Sequence, residues 1–155
     1  MRAKLIWVNA IACNRVARLV IDTNVIVAAK RASAALMLDV AEKRVKSLLT
    51  VGAVWDIEGV LCRPEYLAAS GITLALVQGF VDEPCALAEP VQIQFAWRPP
   101  LHDAADEMVL EATGNGQADA RVTFNLKDFL PAAQSFGVDV IAPVTALRFF
   151  DLMDC

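Results

Sequence analysis

The sequence predicts a three-layer α/β/α fold around a central parallel sheet. Short apolar blocks that read as strands alternate with segments of helical spacing along nearly the whole chain. Alternation of this kind gives parallel strands joined by helical crossovers. Two of the blocks run into polar residues: Leu19–Asp22 ends in Asp22, and Ala120–Phe124 is followed directly by Asn125. A β-branched run needs a dry environment, which an unpaired carboxylate does not tolerate. Asp22 therefore belongs at the edge of the core, and open α/β sheets bind ligands at the carboxyl ends of their strands.

Leu19–Asp22 is the first strand, and Thr23 or Asn24 can cap the helix after it. Val25–Ala29 reads as that short helix, with Lys30 and Arg31 as its basic end. Ser33–Lys43 has helical spacing, with Leu36, Val40 and Lys43 on one face and Met37 beside them. Lys46–Val51 is a second strand. Ala53–Leu61 is a helix whose apolar stripe is Val54, Ile57 and Leu61, with Asp56 and Glu58 to either side, and Arg63-Pro64 stops it. Thr73–Val81 is an amphipathic helix opened by Thr73 after Gly71, and Pro84 ends that region. Val91–Phe95 alternates and reads as a strand, and Trp97–Pro100 as a turn or loop. Asp103–Ala112 is a helix with acids in its first turn, which the helix dipole favours, closed by Gly114-Asn115-Gly116. Ala120–Phe124 and Val138–Ile141 are strands, and Thr145–Met153 is the last helix.

The 155 residues suit one domain, and no repeat, low-complexity segment or linker divides them. The chain is 57% hydrophobic with mean hydropathy +0.47. No stretch reaches the roughly 18–20 apolar residues of a membrane helix, so a large core is the reading. Residues 1–16 begin with the charge order of a signal peptide, Arg2 and Lys4 before Leu5–Val8, but Asn9 interrupts the apolar stretch. The expectation is an N-terminal extension over 1–16 and one domain over 17–155.

A net charge of −4 argues against a basic nucleic-acid glove, so a nucleic-acid partner would need metal ions and a local basic patch. Cys13, Cys62, Cys85 and Cys155 form no CxxC pair, which disfavours a zinc knuckle. They read as reduced, mostly buried thiols of a cytoplasmic protein. The single histidine, His102, weakens any Ser-His-Asp or histidine-rich proposal.

Four places put acids or amides at strand ends or helix starts: Asp22-Thr23-Asn24, the Asp56/Glu58 helix, the Asp103/Asp106/Glu107 helix start, and Asn125 with Asp128. Carboxylates gathered in one cleft repel one another, and a hard divalent ion removes that cost. Mg²⁺ or Mn²⁺ prefers oxygen ligands and keeps several waters. Such an ion polarises a phosphoryl oxygen and lowers the pKa of a bound water, which is the chemistry of phosphodiester hydrolysis. It needs neither a nucleophilic side chain nor a histidine.

The ordered pieces L-V-I-D-T-N-V, V-L-C-R-P-E, D-A-A-D-E-M-V-L-E-A and A-D-A-R-V-T-F-N-L-K-D-F resemble a PIN domain over about residues 18–150. More narrowly, they are similar to the VapC-like branch of toxin–antitoxin ribonucleases. The resemblance implies a Rossmann-like sheet and a Mg²⁺- or Mn²⁺-dependent endoribonuclease. It further implies a toxin restrained by a cognate antitoxin, and often a homodimer. The family's first acid falls on Asp22 and its second on Asp56, with Glu58 the neighbouring candidate. The third falls on Asp106, with Asp103 just ahead, and the fourth position is Asn125, followed by Asp128. The implied metal ligands are Asp22, Asp56, Asp103 and Asp106. Two residues depart from the pattern. Asp56 is a methylene shorter than the usual Glu. Asn125 is neutral where many members carry Asp, and its amide oxygen can ligate Mg²⁺ without adding charge.

Other roles stand beside these. Asp22 can simply cap a helix, the acids at 103–107 can serve only the helix dipole, and Asp128 can cap a helix after Phe129. Lys30, Arg31, Arg44 and Lys46 can hold an RNA backbone or form an ordinary solvated surface. Trp55 and Trp97 can stack on bases or pack. A catalytically weak binding module with the same fold, keeping its antitoxin or RNA contact, is the main rival. A receiver-like phosphoacceptor domain ranks lower, because the last strand runs into Ala142-Pro143 rather than a lysine.

Overall fold

The computed structural model describes residues 16–28, 30–95, 111–129, 137 and 139–151. Five strands form one sheet: β1 (Ala17–Ile21), β2 (Val45–Leu49), β3 (Glu89–Pro90), β4 (Ala120–Val122) and β5 (Asp139–Ile141). Their order is β3-β2-β1-β4-β5, and every pairing is parallel. β1 is therefore central, with Ala17 in register with Val45 on one side and Leu19 with Ala120 on the other.

The helices are α1 (Thr23–Ile26), α2 (Arg31–Ala41), α3 (Val51–Leu61), α4 (Pro64–Ser70), α5 (Leu74–Leu87) and α8 (Pro143–Asp151). Between them lie α6, described over 111–115, and α7, described over 126–129. Successive strand residues face opposite sides, and the burial follows that period. Leu19, Ile21, Ala120 and Val122 pack with Leu36 and Val40 of α2 and Ala146 of α8. Val20 and Leu48 pack on the other face with Ala112 of α6. A further cluster joins Leu49 to Ile57 and Leu61 of α3 and Val77 and Val81 of α5. Parallel strands buried on both faces between helices give the expected three layers. Among the described residues, no helix is long and apolar enough to cross a membrane.

Several element boundaries differ from the sequence expectation, each for a local reason. Lys30 and Arg31 do not end a helix: Lys30 is the N-cap of α2 and Arg31 its first residue. Lys43 lies beyond α2 in a left-handed turn (φ 62) rather than on its apolar face. Thr50 and Val51 belong to α3, where Thr50 Oγ1 accepts a bond from the Ala53 N–H and so ends the strand early. Arg63-Pro64 stops α3 and also starts a helix, because proline suits the first helical position and Gly71 (φ 70) closes that helix. Pro84 does not end α5 but sits inside it, buried, and apolar burial offsets the hydrogen bond it cannot donate.

The alternation of Val91–Phe95 does not make a strand there, and β3 is the two residues before it. β2 turns into α3 after Leu49, so the Val91 N–H bonds Leu49 and the ladder has no further neighbour. The Asn115 side chain instead takes the N–H groups of Gln94 and Phe95 and donates to the Phe95 carbonyl. Gly114 and Asn115 lie within α6, so the closing residue of Gly114-Asn115-Gly116 is Gly116. A Cβ at Gly116 would meet the Ala112 carbonyl at 2.7 Å and Leu48 Cδ1 at 2.9 Å, a close approach only glycine allows. Cys62 and Cys85 are free thiols but exposed, not buried. Ala29, Trp97–Pro100, His102, Val138, Cys13, Cys155 and most of the 1–16 extension lie outside the described residues.

Candidate metal centre at the carboxyl edge of the sheet

Asp22 comes directly after the last residue of β1 in extended backbone (φ −67, ψ 148) and occupies the N-cap of α1. Its main-chain carbonyl accepts the N–H groups of Val25 and Ile26, at 2.9 and 3.1 Å. Its side chain makes no capping bond. The simple capping role for the carboxylate is thereby excluded, and the side chain is available to the sheet edge.

Three donors converge on one oxygen of that carboxylate. Oδ2 accepts from Thr123 Oγ1 at 2.7 Å, Asn24 Nδ2 at 2.9 Å and Arg121 Nη2 at 3.0 Å. Oδ1 carries no hydrogen bond among the described residues. The register explains the convergence. Val20 pairs with Arg121 and Ile21 with Val122, so one step further brings Asp22 beside Thr123, and Arg121 and Thr123 share the face of Val20.

Thr123 is the hub of the network. Its hydroxyl donates to Asp22 and accepts from the Asn125 N–H at 3.0 Å and from Asn24 Nδ2 at 3.1 Å. Asn24 ties the two strand ends again, because its Oδ1 accepts the Phe124 N–H at 3.2 Å. The polar ends of the first and fourth strands thus meet at one edge, joined through Thr123. Asn125 and Asp128 are exposed, and the Asn125 amide donates to the Asp128 carboxylate across the first turn of α7. Asp128 therefore lies inside a helical turn that already contains Phe129, rather than at the cap of a helix that begins after Phe129.

Arg121 is 1% exposed and reaches Asp22 from below, with its guanidinium carbon 3.2 Å from the centre of the Phe129 ring. A guanidinium keeps its charge at any accessible pH, so its burial demands anionic partners, and Asp22 is one. Neither Arg121 nor Thr123 stands among the sequence candidates. The signal that could have found Arg121 is a permanently charged residue in a strand, Ala-Arg-Val-Thr, that otherwise reads as buried.

Asp56 and Glu58 leave α3 on opposite flanks, as a two-residue helical step requires. Asp56 is half-buried and Glu58 exposed. Glu58 shares its flank with Val54, which lines a hollow with Cys85 and Ala88. Asp56 lies on the other flank. Asp103, Asp106 and Glu107 lie outside the described residues. Among the described residues, no three His, Cys, Asp or Glu side chains gather in a metal-holding group.

The basic candidates separate. Lys30 Nζ stands 4.0 Å from the centre of the Phe124 ring, beside the site. Arg44 pairs with Asp39 at 2.9 Å, and Lys46 pairs with Glu89 at 3.2 Å. Lys46 belongs to the start of β2, at the opposite edge of the sheet from Asp22. There, hydrogen bonds first from Arg18 and then from Lys46 hold the Glu89 carboxyl below its ordinary pKa. Trp55 is exposed on α3.

The edge offers hard oxygen donors, with one oxygen of the Asp22 carboxylate fixed and the other without a hydrogen bond among the described residues. The sequence model of a family described as PIN domain matches residues 18–127. Among curated proteins, none matches the chain.

Proposed function

The chain belongs to the PIN domain family, and from that membership we propose that it is a metal-dependent endoribonuclease, the toxin of a toxin–antitoxin pair. PIN domains are in general metal-dependent nucleases. The RNA substrate, the choice of Mg²⁺ or Mn²⁺, the cognate antitoxin and a homodimeric state are the finer reading. One observation supports the metal dependence: Asp22 has one carboxylate oxygen gripped by three donors and the other without a hydrogen bond among the described residues, at the carboxyl edge of the sheet. A hard oxygen left without a donor at that edge suits a divalent cation.

In this reading Asp22, Asp56 and Asp106, with Asp103 beside it, hold the ion. When bound, the cation supplies Lewis acidity at a phosphoryl oxygen and eases the ionisation of water. The chain's own contribution is preorganisation. Thr123 and Asn24 hold Oδ2 of Asp22, so the direction of Oδ1 is set before any ligand arrives. Asn125, tied to the same hydroxyl through its N–H, orients the attacking water or the scissile phosphate. Lys30, beside Phe124, meets a neighbouring phosphate of the substrate backbone.

The test is cleavage of single-stranded and structured RNA with Mn²⁺ or Mg²⁺, before and after chelation. Cleavage that requires the metal and disappears in a folded D22N variant supports the reading. Equal activity in wild type and D22N sinks it.

One observation favours a second reading, a catalytically weak binding module that keeps its antitoxin or RNA contact. The fourth position is Asn125, whose neutral amide oxygen brings no charge to an ion, while its Nδ2 donates to Asp128. Calorimetric titration separates the two: no heat of Mn²⁺ binding at millimolar metal selects the binding module.

A further inference from the structure

Asp22 already has a cation. The Arg121 guanidinium lies 3.0 Å from its Oδ2, is sealed at 1% exposure, and stacks on Phe129. It cannot lose its proton, and its burial leaves it no path to solvent. A dication arriving at Oδ1 meets a fixed positive charge close behind the carboxylate, which weakens the attraction.

We propose that Arg121 is the resident counter-cation of Asp22 and that it sets the affinity of this edge for a divalent ion. This rests on the reading of Asp22 as a metal ligand. Arg121 acts through Asp22 and is a positioning residue, not a catalytic one. Its role is to hold the carboxylate in a satisfied, folded state without metal, at the cost of loose metal binding.

The geometry separates the charge of Arg121 from its grip. Thr123 and Asn24 hold Oδ2 independently, at 2.7 and 2.9 Å. Replacing Arg121 by a neutral residue therefore removes the positive charge without releasing the carboxylate. Loss of a merely structural residue would loosen the site and weaken metal binding. Loss of a counter-cation tightens it.

The experiment is calorimetric titration of the full chain with Mn²⁺, in wild type, R121Q, R121K and D22N. The expected result is that R121Q binds Mn²⁺ on the order of tenfold more tightly than wild type. R121K, which keeps the charge, binds as wild type does. Thermal melts with and without Mn²⁺ supply the second readout, because the metal-induced rise in Tm is larger in R121Q. If R121Q does not fold alone, millimolar Mn²⁺ restores its cooperative melt, since the ion replaces the missing charge. R121Q that binds with wild-type or weaker affinity, or that Mn²⁺ does not fold, overturns the proposal. Failure of the site itself looks different: wild type then binds no Mn²⁺, or D22N binds it as well as wild type does.

Discussion

The guanidinium of Arg121, on β4, lies 3.0 Å from the carboxylate of Asp22, at the end of β1, and the pair is closed off from solvent on the arginine side. Two strands far apart in sequence thus share one ion pair at the carboxyl edge of the sheet. This pairing couples the folding of the domain to its candidate chemistry.

The coupling makes Asp22 a stability residue as well as a candidate site residue. D22N takes the paired carboxylate away from a buried cation, a loss on the order of 3 kcal/mol. For a domain of this size that lowers Tm by roughly 6–12 °C. Circular-dichroism melts check it, and adding R121M to D22N should recover part of the loss because the two residues share one interaction. An unchanged Tm in D22N contradicts the coupling.

Thr123 should matter through a single hydroxyl. T123V keeps the shape but removes the donor to Asp22 and the acceptor for Asn125, a cost of about 1–3 kcal/mol. RNA cleavage should fall by tenfold or more, whereas T123S, which keeps the hydroxyl, should retain most of the activity. Comparable cleavage rates for T123V and wild type refute this role.

Asp56 and Glu58 offer an internal control, being two residues apart on opposite flanks of α3. D56N should lower cleavage and Mn²⁺ affinity by roughly tenfold or more. E58Q, on the exposed flank beside Val54, should leave both close to wild type. The reverse pattern, with E58Q the damaging change, transfers the ligand role to Glu58.

Asp139 gives a pH prediction. It starts β5, and its Oδ2 is buried without a hydrogen-bond partner among the described residues. Burial raises its pKa above the ordinary Asp value. A carboxyl whose folded pKa is raised favours folding when protonated, at pH below its unfolded pKa. That contribution is lost as pH rises through the folded pKa. At neutral pH the charged form is a burden, so D139N should raise Tm. The gain should shrink as pH falls toward 4, the usual range of the Asp carboxyl. A Tm difference independent of pH rules this out.

Much of the fold was legible because burial imposes period on sequence. The apolar blocks around Leu19, Leu48, Val122 and Ile141 are strands, and the stripe Ile57–Leu61 lies on a helix. Boundaries were less legible, because they depend on partners the sequence does not display. Val91–Phe95 alternates like a strand, yet the N–H groups of Gln94 and Phe95 go to one side chain, Asn115, about twenty residues on. Pro84 reads as a stop, yet burial keeps it inside α5.

The sequence alone determined the parallel α/β architecture, the place of Asp22 at a strand end, and the kinship that the acids suggested. It did so because hydrophobic period and strand-end polarity are local properties. Tertiary structure alone decided what Asp22 touches. Arg121 and Thr123 stand about a hundred residues from Asp22, and only the parallel register of β1 with β4 sets them on the same face beside it. A contact between residues so far apart is fixed by register and burial, and neither leaves a mark in the spacing of the chain.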